Sequence, residues 1–247
     1  MTEHFLELKN VHYAVDGREI LRNVSLNIPY GYGIMLVGKN NSGKSSLLKL
    51  CEGQANPTGG EILLKGAPIA KLSYIQLQNY HRSAGTVFEG GALINNMTVY
   101  DNVALPLRYH ERLPQAEMHS RVQAQLTCMQ IEQYAGQLPA GVPAEVKVRT
   151  SFARAFIANP QILFLDEPFT LLEPQMLKFI LVLLKKLKHD RKTVILAAMN
   201  TGSFLAAPFY KEIADEVLII NNNTISERGK PEDIRNKLLA DDFAFNV

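Results

Sequence analysis

Between Gly38 and Ser45 the chain reads G-x-x-x-x-G-K-S, directly after an apolar run and directly before a helical pattern. Glycines at that spacing let the backbone turn so that successive N–H groups converge, and a helix N-terminus adds the positive end of its dipole. Such a turn suits a phosphate. Lys44 adds a cation able to reach the β- and γ-phosphates of a nucleoside triphosphate, and the Ser45 hydroxyl is an oxygen ligand for Mg²⁺. Gly38, Asn40, Asn41, Ser42, Gly43 and Ser46 complete the candidate binding set. Taken alone, the segment is also compatible with a glycine turn that carries a chance lysine.

A second chemical segment is "ILFLDEP", Ile162 to Pro168. Four apolar residues place Asp166 at the C-terminal end of a strand, where its carboxylate can hold Mg²⁺ through water. Glu167, next to it, can orient and deprotonate a water aimed at a terminal phosphate. An acidic strand end before a proline turn would look the same in isolation. Together with Gly38–Ser45 the pair points to ATP and Mg²⁺ as ligands.

The elements that must position these residues can be outlined from the pattern. Val11 to Ile28 reads as two strands around Asp16-Gly17. Gly31 to Val37 reads as a buried strand, followed by the glycine loop and a helix from Lys44 to Cys51. Short strands are expected at Glu61–Leu64 and Thr86–Phe88. Thr98 to Ala158 is helical in pattern, with breaks at Pro106, Pro114 and Gly136 to Pro143. Strand, helix and strand then return at Ile162–Leu165, Pro174–His189 and Thr193–Ala197. A last strand pair, Glu216–Ile220 and Thr224–Glu227, brackets Asn221 to Asn223, and a short helix starts at Pro231. Alternating strands and helices with an inserted helical block predict an α/β core carrying an all-helical subdomain.

Bulk properties narrow the function classes. The 247 residues carry a net charge of +2 and are 47% hydrophobic, which suits a globular chain and argues against nucleic acid as a partner. Cys51 and Cys128 form no C-x-x-C pair, and Cys51 closes an apolar helix pattern, so a buried, inert thiol is expected there. No basic leader stands at the N-terminus. The longest apolar run, Phe179 to Leu184, is far short of the ~20 residues of a membrane span.

At this point the chain resembles the ATP-binding cassette (ABC) transporter ATPases over nearly its whole length. The resemblance implies a P-loop NTPase (RecA-like) core with a flanking antiparallel β subdomain, spanning residues 1–91 and 159–247, and a helical subdomain at 92–158. Tyr13 matches the aromatic that stacks on adenine in that family; on sequence alone it is equally a strand core residue. "TVFEGGALINNMTVYDNVALPLRYH" followed by "LDEPF" resembles one branch, the Mla-type phospholipid-transport ATPases. That likeness implies a membrane permease as partner, an MCE-type lipid-binding protein in the complex, and a second ATPase subunit, identical or different, to complete a dimer. It also implies a cytoplasmic location, peripheral on the inner face of the inner membrane.

The chain departs from the family pattern at three places. Counting back from Ala153-Arg154-Ala155, the signature that should read L-S-G-G-Q falls on Val142, Pro143, Ala144, Glu145 and Val146. Pro143 offers neither hydroxyl nor N–H, and Glu145 brings a negative charge towards a negative phosphate, which costs about 4 kcal/mol at ~4 Å in an effective dielectric of ~20. Pro-Ala-Glu is instead a good helix start. The glutamine that ligates Mg²⁺ in the family corresponds to Glu89, whose carboxylate can still serve a metal. The switch histidine corresponds to Met199, and Asn200 beside it offers at most a partial replacement. Two functions therefore stay open: a slowed ATPase subunit driving lipid transport, or a degenerate cassette that binds Mg-ATP as a structural or regulatory ligand.

Overall fold

The computed structural model describes residues 4–111, 113–206 and 208–245. The N-terminal reading, no basic leader, falls in part on Met1 to Glu3, which lie outside the described residues. In chain order the elements are β1 (His4–Val15), β2 (Arg18–Pro29), β3 (Gly33–Val37), α1 (Lys44–Glu52), β4 (Gly59–Leu64), β5 (Ala67–Pro68), α2 (Tyr74–Arg82), β6 (Ala84–Val87), α3 (Val99–His110), α4 (Gln115–Cys128), α5 (Ala144–Phe156), β7 (Ile162–Asp166), α6 (Pro174–Arg191), β8 (Val194–Met199), α7 (Thr201–Ala206), β9 (Glu216–Asn221), β10 (Thr224–Gly229) and α8 (Pro231–Phe245). They fall into two compact units, Met1–Leu77 with Lys178–Val247, and Gln78–Leu177.

In the first unit, β1 and β2 pair antiparallel around Asp16 and Gly17, which sit at φ 50° and 77°. Two consecutive positive φ values match the right-handed twist of the flanking strands, which is why Asp-Gly closes this hairpin. β4 and β5 extend it to a sheet of order β2-β1-β4-β5. β3 lies between β8 and β9 and runs parallel to both, with Val37 opposite Met199 and Ile219. Every residue of β3 and of β8 is buried, as parallel strands covered on both faces require. The entry to β3 is tight. A Cβ on Gly33 would stand 1.8 Å from the Ile213 carbonyl oxygen. The Gly33 N–H donates to Asp215 Oδ2 at 2.7 Å, and the same carboxylate takes Lys188 Nζ at 2.7 Å. Cys51 is fully buried at the end of α1, and burial pushes its thiol up to about 12, so it stays a neutral core group.

In the second unit, β6 and β7 form a parallel pair, from Ala84 opposite Ile162 to Val87 opposite Leu165. α3 opens with a reciprocal cap: Thr98 Oγ1 accepts the Asp101 N–H at 3.0 Å and the Asp101 carboxylate accepts the Thr98 N–H at 3.4 Å. Asn102, fully buried, holds the preceding loop. Its Nδ2 serves the carbonyls of Ile94, Met97 and Thr98 at 3.2, 3.1 and 3.0 Å, and its Oδ1 accepts the Ile94 N–H at 2.8 Å.

Several elements differ from the sequence expectation. α3 runs straight through Pro106, where a break was expected. The proline removes one backbone N–H donor, but Val99, Val103, Ala104 and Leu107 are all fully buried around it, and that continuous apolar stripe outweighs one lost bond. α2 and α7 had no expectation at all. Of α2 only Tyr80 is buried, so its apolar periodicity is weak, and α7 is only six residues long with Gly202 inside it. α8 is fifteen residues long, more than the short helix expected.

Replacing Asn102 by Ala leaves the Ile94 N–H and the nearby carbonyls without their partner. The expected loss is about 2–4 kcal/mol of unfolding free energy, read by urea denaturation; an unchanged midpoint would refute the role given to Asn102. The Thr98 hydroxyl bond, aided by Arg108, holds the Asp101 carboxyl below its ordinary value. Its contribution is complete above the unfolded pKa of ~3.9 and is lost as pH falls through the lower folded value. Asp101→Asn should flatten the stability profile below pH ~4.

Candidate functional site

The turn from β3 into α1 is built by close backbone approach. The Gly38 N–H donates to the Met199 carbonyl at 3.3 Å. A Cβ on Gly38 would meet the Ile220 carbonyl oxygen at 2.4 Å and Ser42 Oγ at 2.8 Å. Gly43, at φ 102°, is the N-cap of α1, and a Cβ there would meet the Ile20 carbonyl oxygen and Leu21 Cδ2, each at 2.9 Å. Only glycine combines that φ with that clearance. With no side chain capping α1 and no acidic residue in its first turn, the positive end of the helix dipole meets an anion without a competing carboxylate.

The loop lines an open cleft of about 260 Å³ bordered by Arg18, Ile20, Asn41, Ser42, Gly43, Lys44, Ser45 and Ser46. Asn41 is at φ 62°. Lys44 is 6% exposed, and its Nζ donates to the carbonyls of Gly38 at 3.0 Å and Lys39 at 2.9 Å. Ser42 Oγ is buried without a hydrogen-bond partner. A polar atom held this way in a turn that glycines keep open fits a site built for phosphate oxygens. Of the residues expected from sequence, Asn41, Ser42, Gly43, Lys44, Ser45 and Ser46 border the cavity. Gly38 and Asn40 belong to the loop without bordering it. Tyr13 is half-buried in β1 opposite Leu21 and does not border it either. Arg18 and Ile20 were not anticipated; only the hairpin register brings them to the loop.

Next to the loop, Met199 is the last residue of β8, 1% exposed. Its thioether belongs to the core. Asn200 caps α7, its Oδ1 accepting the Ser203 N–H at 2.8 Å, so its acceptor oxygen already has a local task.

The second unit carries the remaining candidates. Asp166 closes β7, half-buried, and Glu167 follows at φ 44°. The Thr170 hydroxyl donates to the Glu167 carbonyl at 3.4 Å. Glu89 is exposed in a single 3₁₀ turn, Glu89–Gly91. That turn is clamped to α5. A Cβ on Gly91 would stand 2.5 Å from the Lys147 carbonyl oxygen, and the Arg154 guanidinium donates to the carbonyls of Gly91 and Ala92, each at 3.2 Å. Burial draws the Arg154 pKa down from its ordinary value.

α5 begins at Ala144, directly after Pro143 at φ −56°. Glu145 does not stand as an unpaired charge. Its Oε1 accepts Arg149 Nε at 3.0 Å and Arg149 Nη2 as well, and it lies 3.4 Å from the Glu173 N–H. The two side chains are 14% and 19% exposed. The repulsion expected of a bare Glu145 is therefore largely cancelled inside the helix; what remains is the absence of donors at Pro143. The Glu-to-Arg spacing of four was visible in the sequence as a helical ion pair.

Residues 21–170 match the family model described as ABC transporter. The chain belongs to the ABC transporter family. It is 30% identical over 95% of its length, and 89% of the relative's, to the intermembrane phospholipid transport system ATP-binding protein MlaF of Haemophilus influenzae. It is also 31% identical over 93% of its length to the methionine import ATP-binding protein MetN 2 of Pseudomonas aeruginosa, covering 68% of that protein. Among solved structures, the dimeric post-hydrolysis state of the ATP-binding cassette MJ0796 bound to ADP and Pi superposes with a TM-score of 0.82 at 26% identity, covering 92% of this chain and 98% of that one. The fold is thus the α/β P-loop NTPase core of ABC-ATPase type.

The buried, partnerless Ser42 hydroxyl carries an uncompensated desolvation cost in the free protein. Ser42→Ala should raise the stability of the nucleotide-free protein by about 0.5–1 kcal/mol and weaken ATP binding at the same time. Paired thermal melts with and without Mg-ATP check this; a variant that is less stable in both states refutes it.

Proposed function

We propose that this ATP-binding subunit serves a lipid-transport system of the Mla type, and that the isolated chain holds Mg-ATP but turns it over slowly. The observation that carries nucleotide binding is the cavity at the β3–α1 turn, with Lys44, the open end of α1 and glycines where any Cβ would collide. In this reading Asn40, Asn41, Ser42, Gly43, Lys44, Ser45 and Ser46 hold the phosphates and Tyr13 stacks on the base. Ser45, Asp166 and Glu89 are assigned to Mg²⁺, whose charge, when bound, would neutralise the phosphate oxygens. Glu167 is assigned to the attacking water. The lipid assignment rests on the likeness to proteins named for phospholipid transport, together with "GALINNMTVYDNVALPL"; the methionine importers at similar identity supply the alternative cargo class.

Slow turnover follows from two positions. Met199 places an apolar thioether in the core where the family has a histidine. Val142–Val146 provide no hydroxyl and begin a helix with a proline. A permease, an MCE-type protein and a second cassette, identical or different, are the partners in this reading, with the chain held at the inner face of the inner membrane. Among the described residues no helix is long and apolar enough to cross a membrane, so the permease supplies that attachment. The second reading, a regulatory cassette without turnover, is favoured by the same two positions.

Phosphate release by the purified chain, with Lys44→Ala as the blank, distinguishes the readings. Turnover well below the usual enzyme range of about 1–10³ s⁻¹ is expected, alongside ATP binding that Lys44→Ala weakens at least about tenfold. Turnover within that range, abolished by Glu167→Gln, would overturn the slow-cassette reading.

A further inference from the structure

We propose that Arg18 is a second phosphate-contacting cation, delivered to the loop by the β1–β2 hairpin; this rests on the nucleotide reading above. Arg18 borders the same cavity as Asn41, Ser42, Lys44, Ser45 and Ser46. It is exposed, and its guanidinium has no hydrogen bond or ion pair among the described residues. The neighbouring acid, Glu19, lies 3.9 Å from Arg22 instead. No acidic residue borders the cavity among the described residues.

Its placement is fixed by the backbone. Arg18 is the first residue of β2 and pairs with Val15 across the Asp16-Gly17 turn. The Ile20 carbonyl packs so closely on Gly43 that no Cβ fits between them. On the other side of the hairpin, the Arg22 N–H donates to the Asn223 carbonyl at 2.6 Å and Asn223 Nδ2 donates to the Glu19 carbonyl at 2.9 Å. The strand that carries Arg18 is thus tied both to the phosphate loop and to the β9–β10 turn.

The electrostatics of the cavity call for such a group. A nucleoside triphosphate brings several negative charges, and Lys44, the other cation bordering the cavity, has its Nζ engaged with two loop carbonyls. A guanidinium offers a planar fork that takes two phosphate oxygens at once, and it stays charged at any working pH. Arg18 would therefore add to affinity through phosphate oxygens rather than through the base.

Isothermal titration of the full chain with Mg-ATP and Mg-ADP tests this. Arg18→Ala should raise both dissociation constants about tenfold, a change of one decade, with the melting temperature of the free protein unchanged. Arg18→Lys should recover part of the loss. The dependence of affinity on salt should be shallower in Arg18→Ala than in the wild type, because one screened charge has gone. Wild-type binding with an Arg18→Ala variant that matches it overturns the role of Arg18 alone. A loss that is the same at low and high salt and that Arg18→Lys does not soften also overturns it. A folded wild-type protein that binds no ATP overturns both this inference and the nucleotide reading beneath it.

Discussion

The phosphate turn depends on two contacts in which backbone meets backbone with no room for a side chain. Gly38 lies against the Ile220 carbonyl and Gly43 against the Ile20 carbonyl. The first belongs to the β9–β10 pair and the second to the β1–β2 hairpin, so the loop between β3 and α1 is held from two directions by strands far apart in sequence. Without these glycines the loop would have to move away from its walls, and its amide groups would no longer converge on one cavity. The Met199 carbonyl adds a third anchor through the Gly38 N–H. Met199 thus keeps a structural task in its backbone while its side chain has joined the core.

A similar packing rule governs the second unit. Gly91 approaches the Lys147 carbonyl too closely for a Cβ, and Arg154 bonds the carbonyls of Gly91 and Ala92. The turn that holds Glu89 therefore moves with α5, the helix that begins at Pro143-Ala144-Glu145. At its start, Glu145 reaches Arg149 one turn on and the Glu173 N–H just before α6. The start of α5, where the resemblance sets the family signature, is thus joined through that helix to the Glu89–Gly91 turn and to the chain entering α6.

How legible this was in the sequence depends on how local each cause is. The phosphate loop and the Asp16-Gly17 hairpin were readable because glycine spacing and Asp-Gly chemistry act within a few residues. Pro106 misled because its effect on α3 is decided by Val103, Ala104 and Leu107 finding burial, a tertiary outcome. α2 escaped because only Tyr80 faces inward. Arg18 and Ile20 reach the cavity through a cross-strand register and a long-range contact, neither of which composition or periodicity reveals. Glu145 and Arg149 are different. Their spacing of four was in plain view, and pairing them at the outset would have removed a charge that was otherwise counted as free.

That pairing changes the energetics of the altered signature. A bare carboxylate near a phosphate costs about 4 kcal/mol at ~4 Å in a partly polar setting, whereas a carboxylate already bonded to a guanidinium presents little net charge. The resemblance implies that a partner's terminal phosphate normally finds a serine hydroxyl and glycine amides here. A hydrogen bond to a charged group is worth about 1.5–3 kcal/mol, so the larger part of the deficit is the hydroxyl and the N–H that Pro143 lacks, since Ala144 and Glu145 keep their backbone N–H groups, with repulsion a minor part. The distinction has a mechanical consequence. Repulsion would drive two cassettes apart whenever ATP is present, while missing donors merely fail to draw them together. A closed pair could then be supplied from outside, by a permease or a second cassette that brings its own contacts, without any change at Glu145.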